Sequence, residues 1–312
     1  MKDNISASSK LEDHSESHSH HHNSTGIKNI TIAFFLNFTF TIIELVGGLI
    51  TNSVAILSDA VHDLGDSIAL ALAWYFEKIS NRMPNKKFTY GYKRFSLLGA
   101  VINSVVLITG SSVVIFESVR RMVNPQEVHA KGMLLLAVLG IVVNGIAVLK
   151  TRKGKGINEK VISLHLLEDV LGWGGVLVVS IVMLFVHLPI LDPILSVAIS
   201  LWVLYNVYKN LKKTLTVILQ GTPSEMNLNE IKVKIQQIPH VRSLHDLHVW
   251  SLDSLYNVAS LHVVINTEEQ FPVILKETKD KIKELMINEG IEHITVEFET
   301  EEEECISCDK FN

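Results

Sequence analysis

The chain has 312 residues, of which 47% are hydrophobic and 20% are charged. Its mean hydropathy of +0.28 is too high for an ordinary soluble protein of this length, so a membrane protein is the expected class. The formal net charge of -5 and the lack of a basic stripe with interleaved aromatic residues argue against a nucleic-acid partner.

The first 27 residues combine serine, asparagine, acidic residues and histidine without apolar periodicity, which predicts a disordered cytoplasmic tail. They contain no apolar core of a cleaved signal peptide, so we expect the tail to stay attached. Its clustered histidines are His14, His18, His20, His21 and His22. The cluster is interpreted as a metal-collecting tract or as the remnant of a purification tag, and the intervening serine and glutamate favour the first.

Six apolar segments follow, each close to the ~20 residues that cross a bilayer as a helix. They lie at about 29–50, 54–76, 96–119, 131–150, 161–186 and 191–208. The loop between the second and third segments carries six lysines and arginines and that between the fourth and fifth carries five, against three between the third and fourth. The positive-inside rule therefore places the loop after the second segment, the loop after the fourth segment and both termini in the cytoplasm.

The second segment carries four ionisable residues in its middle, Asp59, His62, Asp63 and Asp66. At 100° per residue they fall within about 100° of one another and form one polar stripe. An Asp at the centre of a spanning helix costs roughly 2.5–3.5 kcal/mol, so such residues usually face the bundle interior and line an ion path.

The fifth segment repeats this pattern, with His165 and Asp169 one turn apart. Together with His62 and Asp66 they offer two nitrogens and two oxygens, a set that suits tetrahedral Zn²⁺. The alternative is two unrelated polar patches that line a water-filled cavity. Cd²⁺ and Co²⁺ accept similar ligands, whereas Mn²⁺ favours more oxygens.

Other polar residues of the segments have two interpretations each. Asp59 and Asp63 lack matching partners in the fifth segment, so they are candidates for the access path or for structural hydrogen bonds. Glu44 is a candidate proton carrier or a satisfied buried carboxyl. Asn103 and Asn144 are candidates for hydrogen bonds between helices or for metal ligands, and the first is expected.

After residue 213 the composition becomes that of a soluble domain, which we place at 214–300. The pattern predicts a helix at about 227–238, strands at 243–252 and 256–266, a helix at 269–288 and a strand at 292–298, hence an αββαβ arrangement of the α+β class.

Possible metal ligands lie on all three predicted strands: His245, Asp246 and His248 on the first, His262 on the second, Glu297 and Glu299 on the third. Strand geometry puts Glu297 and Glu299 on one face, but it puts His245 and His248 on opposite faces of an unbroken strand. The residues 301–312 form an acidic tail with Cys305 and Cys308, which are too few for a disulfide framework. Their spacing suits a zinc chelate with nearby histidines, or the tail is simply solvated.

The paired HxxxD motifs and the HDLHVWSL strand closely resemble the cation diffusion facilitator family of zinc transporters, and the resemblance runs from about Lys28 to Glu299. It implies a proton-coupled Zn²⁺ exporter that works as a homodimer in the lipid membrane, with a six-helix membrane domain (28–213) and a ferredoxin-like cytoplasmic domain that senses metal.

By this resemblance the transport site consists of His62, Asp66, His165 and Asp169. His245 and His262 match regulatory positions, with His248 nearby, while Glu297 and Glu299 stand where other members have a His and an Asp. The Cys305/Cys308 tail, like the tract at His18, His20, His21 and His22, would bind metal in addition. Compact loops favour a bacterial plasma membrane.

Proton exchange also follows from chemistry, because imidazoles must be neutral and carboxylates ionised to bind metal. An intramembrane zinc protease is disfavoured because the sequence contains no HExxH motif and four ligands would close the metal's coordination sphere. A metal-sensing receptor with a passive membrane anchor is the other alternative, but an anchor has no need of four ionisable residues on one helix.

Overall fold

The computed structural model describes residues 24–151, 157–266 and 271–300 of the chain. Within these ranges, the side chains of residues 24–34, 36–37, 150–151, 157–165 and 271–272 are outside the description. The predicted ligands of both tails, including Cys305, Cys308 and the histidine tract, therefore lie outside the described residues.

Six long helices form the membrane domain within the described ranges. They are α1 (Ser24–Thr51), α2 (Val54–Ser80), α3 (Phe95–Val123), α4 (Ala130–Thr151), α5 (Ile157–Phe185) and α6 (Leu191–Ile218). The helix α1 begins inside the range that the composition assigned to the tail. By length and composition, α3 to α6 each contain a stretch that is long and apolar enough to cross a membrane.

The two remaining helices differ from this pattern for clear reasons. In α1 the described apolar stretch, Phe38–Thr51, is shorter. The 27 residues of α2 extend about 40 Å at 1.5 Å per residue, which is enough to span, but its ionisable stripe lowers its hydropathy. Composition thus supports four spans, and the helix lengths are compatible with six.

The interior of the bundle is closed by large apolar side chains and by close helix approaches. Trp173 of α5 is fully buried and makes an edge contact with Phe40 of α1, with ring centroids 5.9 Å apart. Gly140 of α4 lies against the same indole, so that a Cβ there would come within 2.3 Å of it. The outward faces carry exposed residues such as Leu135, as expected of a surface in contact with lipid.

The start of α2 is anchored by a buried polar network. The fully buried Asp192, at the start of α6, accepts hydrogen bonds from Ser53 Oγ (2.5 Å), Val54 N (2.8 Å) and Ala55 N (3.3 Å). Arg121 of α3 donates to the carbonyl of Asn52 at 2.7 Å. The first turn of α2 is thereby tied to α6, and the turn that precedes it is tied to α3.

The cytoplasmic domain has the predicted αββαβ order. Its elements are α7 (Leu228–Gln236), β1 (Val241–Ser251), β2 (Asn257–Ile265), α8 (Phe271–Asn288) and β3 (His293–Glu299). The strand order is β1-β2-β3, with β1 and β2 antiparallel and β2 and β3 parallel. The parallel pair requires a crossover connection, which α8 provides.

One face of this sheet is covered by α7 and α8. Ile231 and Ile235 of α7 and Ile282 and Met286 of α8 belong to the same buried cluster as Leu261 of β2. At the surface, Lys234 of α7 donates to Glu289 at 2.5 Å, and this hydrogen bond raises the pKa of the lysine ammonium. The opposite face of the sheet is left for polar side chains.

The loop between α2 and α3 contacts this domain. Lys93 lies 3.6 Å from the carboxylate of Asp253 and 4.5 Å from the ring centroid of Tyr256. Tyr90 makes an edge contact with the imidazole of His293, with centroids 5.5 Å apart. The membrane and cytoplasmic domains thus meet at a small polar and aromatic contact.

Candidate metal sites in the membrane and the cytoplasmic domain

The polar stripe of α2 is directed into the bundle. Asp59 and Asp63 are buried, with 5% and 4% of their surface exposed. His62 and Asp66 are partly buried, and His62 Nε2 lies 3.6 Å from Asp66 Oδ2 across one helical turn. The four residues share one side of the helix because positions three and four apart are neighbours on its surface.

The stripe faces α5 next to Asp169. A Cβ at Gly172 of α5 would lie 3.6 Å from Asp59 Oδ1, and Gly172 follows Asp169 by less than one turn. Asp169 is itself buried. Asp59 interacts electrostatically with Asp169 as well as with His62, Asp63 and Asp66. The acidic end of the α2 stripe at Asp59 therefore lies close to α5 near Asp169.

His165 is the remaining predicted ligand of this site. Its backbone belongs to α5, one turn before Asp169, but its side chain lies outside the described residues. The structure thus places Asp59 of α2 close to α5 near Asp169, and the backbone of His165 on the same helix. The ligand atoms of His62, Asp66 and Asp169 do not all lie within 4.8 Å of one another.

The neighbouring carboxylate of Glu168 belongs to a different environment. It accepts hydrogen bonds from the indole Nε1 of Trp202 and from Asn206 Nδ2, the latter at 3.2 Å, and both partners lie on α6. This side chain therefore ties α5 to α6.

A further acidic residue lies beside the stripe. Glu44 of α1 is fully buried and interacts electrostatically with Asp59, Asp63 and Asp169. The expected hydrogen bonds of the two helix asparagines are not all formed: among the described residues, Asn103 Oδ1 and Asn144 Nδ2 are buried and have no hydrogen-bond partner.

The cytoplasmic domain contains a second cluster, on the sheet face opposite the helices. His245 Nε2 lies 3.1 Å from one oxygen of Glu299, and His262 Nδ1 lies 2.5 Å from the other. Among the described side chains, this is the one place where at least three His, Cys, Asp or Glu ligand atoms come within 4.8 Å of one another. Two imidazoles and one carboxylate are zinc ligands that leave a fourth position open.

The strand that carries His245 is not regular, and the prediction that His245 and His248 face opposite ways is wrong. The pairing of β1 with β2 shifts between His245, opposite His262, and His248, opposite Ser260. Asp246 takes up the extra residue with a left-handed φ of +52°. A bulge of this kind restores both histidines to one face of the sheet.

The remaining candidates surround this cluster. His248 Nε2 lies 2.9 Å from Asp246 Oδ1, and His262 Nε2 lies 3.7 Å from Asp246 Oδ2 and 3.5 Å from Glu297 Oε2. Of the six candidates on the strands, His245, His262 and Glu299 therefore meet, while Asp246, His248 and Glu297 stand beside them. The regulatory set predicted from the resemblance did not include Asp246, although an Asp between two strand histidines was a visible signal.

Comparison with known proteins agrees with these features. Residues 30–219 match the family model described as the cation efflux transmembrane domain, and residues 223–301 match that of the cation efflux protein cytoplasmic domain. The match to the two models spans most of the chain, well beyond the motifs themselves.

Three relatives cover almost the full length. The chain is 33% identical over 290 residues to the cadmium, cobalt and zinc/H⁺-K⁺ antiporter of Bacillus subtilis (90% of this chain, 92% of that protein). It is 35% identical to the metal cation efflux system protein CzcD of Cupriavidus metallidurans (90% and 89%) and 31% identical to the zinc transporter ZitB of Escherichia coli (90% and 92%). The chain therefore belongs to the cation efflux family, whose members are multi-pass membrane transporters of metal cations and not enzymes.

Proposed function

We propose that this protein exports Zn²⁺ from the cytoplasm in exchange for protons, through a site formed by His62, Asp66, His165 and Asp169. Cd²⁺ and Co²⁺ are further substrates, because they accept the same donor types. The B. subtilis relative is named for cadmium, cobalt and zinc, which supports this range of metals.

The observation that carries the proposal is the close approach of Asp59 on α2 to α5, beside the buried Asp169. Asp59 Oδ1 reaches the surface of α5 at Gly172, and Asp169 is buried in the same region. Buried carboxylates in a spanning bundle are expensive, and they usually mark an ion path. A divalent cation between the two helices would offset the repulsion of the clustered carboxylates.

Exchange follows from the chemistry of the donors. A histidine binds metal through a neutral nitrogen and an aspartate through its ionised carboxylate, so that metal entry displaces protons and protonation releases metal. The same four side chains therefore bind either the substrate or the counter-ion. Opposing fluxes are coupled if the site opens to only one side at a time.

The packing of the helices divides the bundle into two parts, one around α2, α3 and α6 and one around α4 and α5. Movement of two such parts relative to each other is what alternating access requires. The helix α2 packs along α3 and α6 and is held to them at and just before its N-terminus, whereas α5 packs mainly on α4 and touches α2 only slightly. We expect the site to open by separation of α5 from α2. Of the contacts that these two helices make in the bundle, the contact between them is among the smallest.

The cytoplasmic cluster of His245, His262 and Glu299 serves as a regulatory zinc site in this proposal, and His248 and Glu297 support it. The protein acts as a homodimer through this domain. It lies in a bacterial plasma membrane with both termini in the cytoplasm, as the charge distribution of its loops favours.

Flux measurements in proteoliposomes test the transport site. With an imposed pH gradient, we expect Zn²⁺ uptake into vesicles with an acidic interior and uptake abolished in Asp66→Ala and Asp169→Ala. Glu168→Gln is the matched control, since this neighbour on α5 binds Trp202 and Asn206, and it should retain most of the flux. Undiminished transport by Asp169→Ala would exclude the proposed site.

The same vesicles distinguish the counter-ion and the metal. A K⁺ gradient without a pH gradient should drive little flux if protons alone are exchanged, whereas strong K⁺-driven flux would contradict the proton-only scheme. Competition by Cd²⁺ and Co²⁺, but not Mn²⁺, is expected from a site with two nitrogen and two oxygen donors.

A further inference from the structure

The bulge in β1 has a chemical consequence for the metal cluster beside it. In a regular strand the side chain of the residue after His245 would leave the face that carries His245 and His262. The left-handed backbone at Asp246, with φ of +52°, turns its carboxylate back toward that face. Non-glycine residues rarely adopt this conformation, although Asp and Asn do so more often than most.

The carboxylate of Asp246 lies between two imidazoles. Its Oδ1 is 2.9 Å from His248 Nε2, and its Oδ2 is 3.7 Å from His262 Nε2. Only 19% of its side chain is exposed, against 67% for Glu297, the other carboxylate near His262 Nε2. Asp246 is therefore the less solvated of the two partners, and its electrostatic effect on His262 is the less screened.

The two ring nitrogens of His262 face different groups. Nδ1 is the atom that faces Glu299 and the cluster, at 2.5 Å. A neutral imidazole that binds metal through Nδ1 carries its proton on Nε2, and this nitrogen lies 3.7 Å from Asp246 Oδ2 and 3.5 Å from Glu297 Oε2. Carboxylates that accept from the outer nitrogen of a metal-binding histidine fix its tautomer and ring orientation.

We propose that Asp246 is a positioning residue of the cytoplasmic metal site, which holds His262 with Nδ1 toward the metal and orders His248 beside it. The inference rests on the proposed regulatory role of the cluster and adds a residue that contacts the histidines rather than the metal. The bulge serves the site because it brings this carboxylate to the ligand face.

The test uses the full-length protein in detergent micelles. Its other metal sites are removed by Asp66→Ala, Asp169→Ala, Cys305→Ser and Cys308→Ser and by serine at His14, His18, His20, His21 and His22. The Zn²⁺ affinity of the remaining site is measured by competition with a chromophoric chelator, and its ligand geometry by the visible absorption of bound Co²⁺. Neither readout depends on transport.

Asp246→Gly is the decisive variant, because glycine keeps the left-handed backbone and removes only the carboxylate. We expect its Zn²⁺ affinity to fall about 10–100-fold, the usual effect of losing such a partner, with a changed Co²⁺ spectrum. Asp246→Asn keeps an acceptor oxygen and should lose less, about 3–10-fold by the same reasoning. Glu284→Gln is the matched control: this exposed carboxylate lies on α8, on the other side of the sheet, and its loss should leave the affinity close to that of the parent.

The outcomes distinguish the existence of the cytoplasmic metal site from the positioning role of Asp246. If Glu299→Gln binds Zn²⁺ as tightly as the parent, the cytoplasmic site is absent and the role of Asp246 falls with it. If Glu299→Gln loses the metal while Asp246→Gly keeps parental affinity, the site stands and the positioning role is refuted. Should Asp246→Gly fail to elute as a folded protein, parental affinity in Asp246→Asn refutes the proposal instead.

Discussion

Replacing Asp192 by alanine should destabilise the membrane domain more than any exposed polar substitution. The carboxylate is fully buried and accepts from Val54 N at 2.8 Å and Ala55 N at 3.3 Å. These are first-turn amides of α2, which have no partner within the helix. Ser53 Oγ also donates to Asp192 but keeps its bond from Ile56 N at 3.2 Å in the variant.

The magnitude follows from the amides that lose their acceptor. A buried donor without a partner costs about 1–3 kcal/mol, so that two such amides give about 2–6 kcal/mol for Asp192→Ala. A change of 1 kcal/mol shifts the melting temperature by roughly 2–4 °C in a protein of this size. We therefore expect a melting temperature lowered by roughly 4–24 °C, with Asp192→Asn in between because it retains one acceptor oxygen.

Thermal unfolding of the detergent-solubilised protein, followed by the loss of the monodisperse peak in gel filtration, measures this effect. Thr109→Ala is the matched control: it removes an exposed hydrogen bond of 2.8 Å to Val105 O within α3, and such surface changes usually stay within about 0.5 kcal/mol. If Asp192→Ala melts together with Thr109→Ala, the buried network does not hold α2 in place and the reasoning is refuted.

Two further predictions concern packing and pH. Gly140→Ala should destabilise the protein by about 1–3 kcal/mol, because the added Cβ would come within 2.3 Å of Trp173. In the double variant, Trp173→Phe should restore part of the lost melting temperature. If Gly140→Ala and the parent melt at the same temperature, the close contact between α4 and α5 is contradicted. With the other metal sites removed, the Zn²⁺ affinity of the cytoplasmic site should fall as the pH is lowered, because protons compete with the metal for the nitrogens of its histidine ligands. Chelator competition between about pH 7.5 and about pH 5.5 measures this, and a flat profile would exclude histidine ligands.

The existence and type of most elements could be predicted from the sequence because their signals are local. Segments of about 20 apolar residues indicate spanning helices whatever they pack against, and a helical period alone places Asp59, His62, Asp63 and Asp66 on one side of α2. The αββαβ order likewise followed from alternation and amphipathic spacing. The prediction of the α+β domain is confirmed, with helix α7 shorter than expected.

What the sequence could not provide are contacts between distant positions and exceptions to a period. Nothing near Asp192 indicates that it caps a helix 138 positions earlier in the chain, at Val54, since a hydrogen bond of this kind depends on how α2 and α6 pack. Glu168 lies next to Asp169 in sequence, yet its carboxylate binds α6. Adjacent helix positions point in directions 100° apart, and only the bundle decides which neighbour each one meets.

The cytoplasmic cluster separates local signals in the sequence from contacts that only the tertiary structure makes. The sequence predicts which donors lie on three neighbouring strands, because residue type and strand pattern are local properties. Whether His245 and His248 share a face depended on one left-handed residue, Asp246, and on its pairing with β2. A shift of one residue reverses every side chain that follows in a strand, so this choice belongs to the tertiary structure, and with it the set of groups that surround the metal.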